Sequence, residues 1–152
     1  LRFMCKDHDT AQAYRAIERI RNAGLIYNAH IMTGIAGAGR GLENAEMLAQ
    51  FFNKTKPARI TNFSLFLHKS APLCQDILNG SFAPADETEN LQEERRLLEL
   101  LETDTLLYDG FHDMLEFRVK GTLPDNRGKM LQKLDDAIAY YSKKEATFAF
   151  VE

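Results

Sequence analysis

The chain has 152 residues, 45% hydrophobic and 10% aromatic, with a formal net charge of −3. That is enough for one domain with a real core, and the slightly acidic balance does not indicate a nucleic-acid partner. No apolar run approaches the roughly 18 residues of a membrane span, and no basic segment leads into an apolar one, so neither a span nor a signal peptide is read. Its two cysteines, Cys5 and Cys74, lack metal-ligand spacing and read as reduced thiols of a cytoplasmic protein. The opening Leu1-Arg-Phe-Met-Cys-Lys6 reads as the middle of a longer polypeptide.

In chain order, Asp9 followed by Gln12 forms a capping-box start. Ala13, Ile17 and Ile20 then keep helical spacing, and Gly24 occupies a C′ position. The apolar run 25–35 predicts a buried strand. Ala45, Leu48, Ala49 and Phe52 mark a second helix ending before Pro57, and 59–69 predicts a second strand. Two strands joined by one helix predict parallel pairing. In the first strand the odd positions are mostly apolar, and His30 lies among the even ones. In the second, Phe63, Leu65 and Leu67 form the apolar set, with Asn62, Ser64, Phe66 and His68 opposite. This alternation predicts one helix-covered face and one partly polar face lining a barrel lumen. Further on, 72–80 predicts a short helix and 81–89 a loop into a long charged helix. A short strand at 105–108, an irregular stretch at 109–126, a last helix at 128–141 and an apolar docking tail at 146–151 follow. The acidic run 86–94 reads as a solvated helix start.

Gly34-Ile-Ala-Gly37-Ala-Gly39-Arg40-Gly41 is the densest glycine cluster, and it lies at a strand-to-helix turn. Loops at the C-terminal ends of parallel strands are where α/β folds bind ligands. The turn lacks Gly-Lys-Ser/Thr, and Leu42 stands where a dinucleotide fingerprint needs its third glycine. His8, His30, His68 and His112 show no metal-binding spacing, and neither Ser64 nor Ser70 sits in a nucleophile elbow. The residues alone therefore predict an α/β ligand-binding unit with no complete catalytic set. A non-catalytic small-molecule or nucleotide-binding module, or an interaction domain docking through the charged helix 86–102, remain alternatives.

Taken together, the segments resemble the later part of a radical S-adenosylmethionine enzyme. Leu1–His8, Ala13–Gly24, Ile31–Gly37 and Phe63–Leu73 resemble, in order, the stretch after that family's fourth strand, the next helix, the fifth strand with its glycine turn, and the exit of the sixth. Lys120-Gly-Thr-Leu-Pro124 resembles a signature before the final helix of an uncharacterised bacterial subgroup. The resemblance implies part of a (β/α)6 TIM-like partial barrel with parallel strands at 1–75, and a mainly helical C-terminal extension at 76–152. It implies reductive cleavage of S-adenosylmethionine by a [4Fe-4S] cluster to a 5′-deoxyadenosyl radical that acts on a small-molecule substrate. Gly34, Ile35, Ala36, Gly37, Phe66, Leu67 and His68 would contact the cofactor, and His30, Asn62, Ser64 and His112 would face substrate. The family's Cys-x-x-x-Cys-x-x-Cys motif is absent. The chain by itself would thus be inactive, and its partner would be the N-terminal half of the same polypeptide.

Overall fold

The computed structural model describes Met4 and residues 6–151. Asp9 caps α1 (Thr10–Asn22): its carboxylate accepts the Gln12 N–H at 2.7 Å, and Gln12 reciprocates to the Asp9 N–H. At the other end the Gly24 and Leu25 N–H groups bond Arg21 and Ile20 carbonyls, with Gly24 at φ +70°. The strand β1 (Asn28–Thr33) leads through the glycine turn to α2 (Gly41–Thr55) and β2 (Arg59–Ser64). Then come β3 (Leu67–His68), α3 (Pro72–Leu78), α4 (Glu87–Leu100), β4 (Leu106–His112), β5 (Phe117–Leu123), α5 (Arg127–Tyr141) and β6 (Phe150–Val151).

The main sheet runs β1-β2-β4-β5, parallel across its first three strands and antiparallel at β4–β5. A two-stranded parallel sheet joins β3 to β6. The architecture is α/β, with an open, mixed, mostly parallel sheet and five helices; no closed barrel forms among the described residues. Residues 76–152 contribute α4 and α5 and also β4 and β5, which extend the sheet begun by β1 and β2.

Helices α2, α4 and α5 cover one sheet face. There Ala45, Ala49 and Phe52 of α2 meet Leu91, Leu97 and Leu98 of α4 and Met130 and Leu134 of α5, over Ile60, Leu106, Tyr108, Val119 and Leu123 of the sheet. Burying a large apolar side chain stabilises by about 1.5–3 kcal/mol, so this layer holds the domain together. The expected parity holds in β1, where Ala29, Ile31 and Thr33 face the helices. In β2 it is inverted: Ile60, Asn62 and Ser64 are buried under the helices, while Thr61 and Phe63 face the other side. The second strand is also shorter than predicted, because the sheet ends at Ser64 and the chain restarts as β3 elsewhere.

The stretch 109–126 is regular rather than irregular. Alternation in β5 puts Val119 and Leu123 inward and Arg118 and Lys120 outward, and a 3-10 turn at Asp113–Leu115 joins it to β4. The tail docks as predicted, the Ala149 carbonyl accepting from Leu67 and the Thr147 carbonyl from Glu87. Gly128, in the first turn of α5, has no atom near where a Cβ would stand. Gly128→Ala should therefore stabilise the fold by about 0.5 kcal/mol, measured by urea unfolding.

Candidate functional site

The three parallel strands end side by side, Thr33 in register with Ser64 and Phe63 with Phe111 next to His112. The first turns of α4 lie across these ends. Asp86 caps the helix by accepting the Glu89 N–H at 2.8 Å. Helical spacing then aims Glu87, Asn90, Glu93 and Glu94 at the sheet, all of them buried. The acidic run is thus not a solvated helix start; most of its carboxylates are interior groups.

His112 is fully buried between two of them, Nδ1 at 2.8 Å from Glu87 and Nε2 at 2.9 Å from Glu94. Ser64 Oγ donates to Glu87 at 2.8 Å and lies 2.9 Å from His112 Nδ1. The second oxygen of Glu94 accepts from Tyr108 at 2.8 Å and from Asn62 at 3.0 Å. Asn62 in turn accepts the Thr33 N–H, tying β1 to the cluster. Gly110 makes room for the Glu94 carboxylate: a Cβ there would stand 1.8 Å from Oε1.

Burial alone would lower the His112 pKa, but the bonds to Glu87 and Glu94 outweigh it and raise it from 6.5 to about 9. The ring is therefore an imidazolium at neutral pH. Ser64, His112 and Glu94 stand in the order of a nucleophile, base and orienting acid. A protonated ring has no lone pair to take the serine proton, and none of the three is exposed to more than 1%. The chemistry this arrangement performs is charge compensation: one cation is clamped between two buried carboxylates, with the remaining oxygens satisfied. Because the folded pKa lies above the unfolded one, the stabilisation is complete below pH 6.5 and is lost as the pH rises towards 9. Denaturation midpoints measured between pH 6 and 9.5 should fall across that window. Burial and the neighbouring Glu94 push the Tyr108 hydroxyl well above its usual range, which adds a further loss beyond pH 10.

The glycine turn is held from behind by the same helix. The Gly34 N–H donates to Glu93 at 2.9 Å, and the Gly39 N–H reaches Glu89. Asn44 donates to the other oxygen of Glu93 at 2.6 Å. Burial raises the Glu93 pKa, against these two bonds. Gly34 and Gly37 both have positive φ, and a Cβ would meet Asn90 at the first and the Ala83 carbonyl and Phe82 ring at the second. Close approach of the chain's own α4 and its leading segment therefore accounts for these two glycines. Ile35 and Ala36 are half-buried at the turn.

Of the residues predicted to face substrate, Asn62, Ser64 and His112 meet within this buried cluster. His30 lies apart, exposed on the opposite sheet face. His68 is not its neighbour in a lumen: it sits on β3, bonded to Ser70 at 2.8 Å. Leu67 is buried and Phe66 exposed. Sequence reasoning missed Glu87, Asn90, Glu93, Glu94 and Tyr108. The available signal was the i, i+3, i+7 spacing of Glu87, Asn90 and Glu94 on one helix face. No group of three or more His, Cys, Asp or Glu among the described residues is arranged to hold a metal ion. No helix is long and apolar enough to cross a membrane among the described residues. No protein-family model, curated protein or solved structure matches the chain.

Proposed function

We propose that the chain is the C-terminal portion of a radical S-adenosylmethionine enzyme, acting on a small molecule together with an N-terminal half of the same polypeptide in the cytoplasm. The observation that carries this reading is the asymmetry of the sheet. One face is closed by three helices, while the other leaves Met32, Phe63, Leu107 and Phe111 uncovered, as the inner wall of a partial (β/α)6 barrel requires. Among the described residues β1 pairs along one edge, and its other edge is where the preceding strand of such a barrel would pair. The order of the motifs along the chain supports the same reading.

In this family a [4Fe-4S] cluster supplies the electron that cleaves S-adenosylmethionine. The residues present do not fit the cluster: two cysteines far apart in sequence offer no three-thiolate motif. It would be held by the other half. This chain would supply the adenine-side wall, Gly34, Ile35, Ala36 and Gly37, with Glu93 fixing the turn from beneath through the Gly34 N–H. Phe66 and His68 would lie at its rim, and buried Leu67 would support them. Ser64, Asn62 and His112 would act as the rigid backing of the wall.

Two results check the proposal. The in-frame coding sequence upstream of Leu1 should encode Cys-x-x-x-Cys-x-x-Cys. Anaerobic treatment of the 152-residue chain with iron and sulfide should leave it without a stoichiometric cluster. A complete gene lacking that motif, or a stoichiometric cluster on these residues alone, would overturn it.

A further inference from the structure

The uncovered sheet face carries a pattern of its own. Met32, Phe63, Phe111 and Arg118 lie side by side across the four strands, followed by His30, Thr61, Asp109 and Lys120, then by Asn28, Arg59, Leu107 and Thr122. The Phe63 and Phe111 rings are stacked at 5.5 Å and 11°, and the Arg118 guanidinium sits 4.3 Å over Phe111. The outer side of the Phe63 ring is turned towards His30, at 6.3 Å between centroids and 31° between planes. A planar ring held between two others needs about 7 Å, two contacts of about 3.5 Å each. His30 is exposed on an edge strand, so a small side-chain rotation opens that slot.

The charge on this face has the opposite sign to that of the chain. Its one acid, Asp109, pairs with Arg118 through two bonds of 2.8 and 2.7 Å. Arg118 foremost, with Lys120 and Arg59 adding to it, holds the Asp109 carboxyl below its usual range, so three cations converge on one carboxylate. Arg59 and Lys120 make no ion pair of their own among the described residues. An aromatic slot beside two uncompensated cations is complementary to a flat ring carrying an anionic group.

We propose that the uncovered sheet face binds a nucleoside monophosphate, its base between His30 and Phe63 and its phosphate towards Arg59 and Lys120. Base stacking on aromatic rings tolerates any base, and the phosphate adds charge-assisted hydrogen bonds. The site lies on the opposite side of the sheet from the buried His112 cluster. It goes beyond the function proposed above and is tested on the 152-residue chain alone, in which this face is uncovered.

The test is a titration of the isotope-labelled chain with uridine monophosphate, followed by amide NMR, with uridine and inorganic phosphate as separate arms. Saturable shifts are expected at His30, Thr61, Phe63, Asp109 and Lys120, weakening as salt is added. Removing both cations as Arg59→Glu with Lys120→Glu should reduce affinity about tenfold or more. His30→Ala should reduce it about fivefold. All three positions are exposed, so the variants should retain the fold, which their spectra report directly. Equal affinity for phosphate alone, no saturable shift with uridine monophosphate, or an unchanged affinity in the charge-reversed variant would each overturn the proposal. Shifts confined to residues 34–37 would also overturn it, placing the ligand at the turn instead. None of these outcomes touches the iron content or upstream coding sequence that test the radical-enzyme reading.

Discussion

His112→Ala is expected to lower stability by about 3–5 kcal/mol, because it leaves two buried carboxylates with no cation between them. For a chain of this size that corresponds to a fall in melting temperature of about 10 °C, a large share of the roughly 5–15 kcal/mol that holds a domain folded. The pH dependence should change as well. The native chain loses stability as the pH rises from 6.5 towards 9. The variant has no ring to deprotonate there, so the fall in stability between pH 6.5 and 9 should be absent from it. Urea unfolding of both proteins at several pH values reads both effects. A loss under about 1 kcal/mol with an unchanged pH profile would show that the ring is not the cation of the cluster.

Gly110→Ala should be as damaging by a different route. The added methyl would stand 1.8 Å from Glu94 Oε1 and 2.8 Å from its carboxyl carbon, beside the Tyr108 ring. The carboxylate is fixed by His112, Tyr108 and Asn62, so it cannot retreat without breaking these bonds. Overpacking and the lost bonds together should cost about 3 kcal/mol or more. Combining the change with Glu94→Ala relieves the clash, and the double variant should cost clearly less than the two single losses added together. Strict additivity would mean that the methyl is accommodated by backbone movement instead.

How much of this was legible in the sequence differs by element. Helix α1 was legible to its caps, because Asp9, Gln12 and Gly24 each act within one turn of chain. The glycine turn and the parallel pairing of β1 with β2 followed from local pattern. The parity of β2 was not legible: Asn62 and Ser64 look solvent-facing until the partners that satisfy them, Glu94 and Glu87, are known. Those partners lie 32 and 23 residues away, and in sequence they belong to an acidic helix that looks solvated. A buried carboxylate is legible only together with its counter-ion, here a histidine at the end of a strand hidden within an apparently irregular stretch. Strand β5 was missed for a related reason, since its outward Arg118 and Lys120 mask the alternation of Val119 and Leu123. The aromatic row on the open face depends on register between β2 and β4, and the sequence does not print register.

These pieces describe a wall: helices on one side, a charge-locked cluster fastening α4 to the strand ends, a glycine turn braced by Glu93, and an open face with an aromatic slot. The proposal that this wall belongs to a radical S-adenosylmethionine enzyme is tested most directly on the longer polypeptide that includes the upstream coding sequence. That protein, reconstituted anaerobically with iron and sulfide and supplied with S-adenosylmethionine and a strong reductant, should form 5′-deoxyadenosine. Replacing Gly34 by valine, which drives a side chain into Asn90, should sharply reduce the yield. A fully reconstituted protein that leaves S-adenosylmethionine intact would contradict the account.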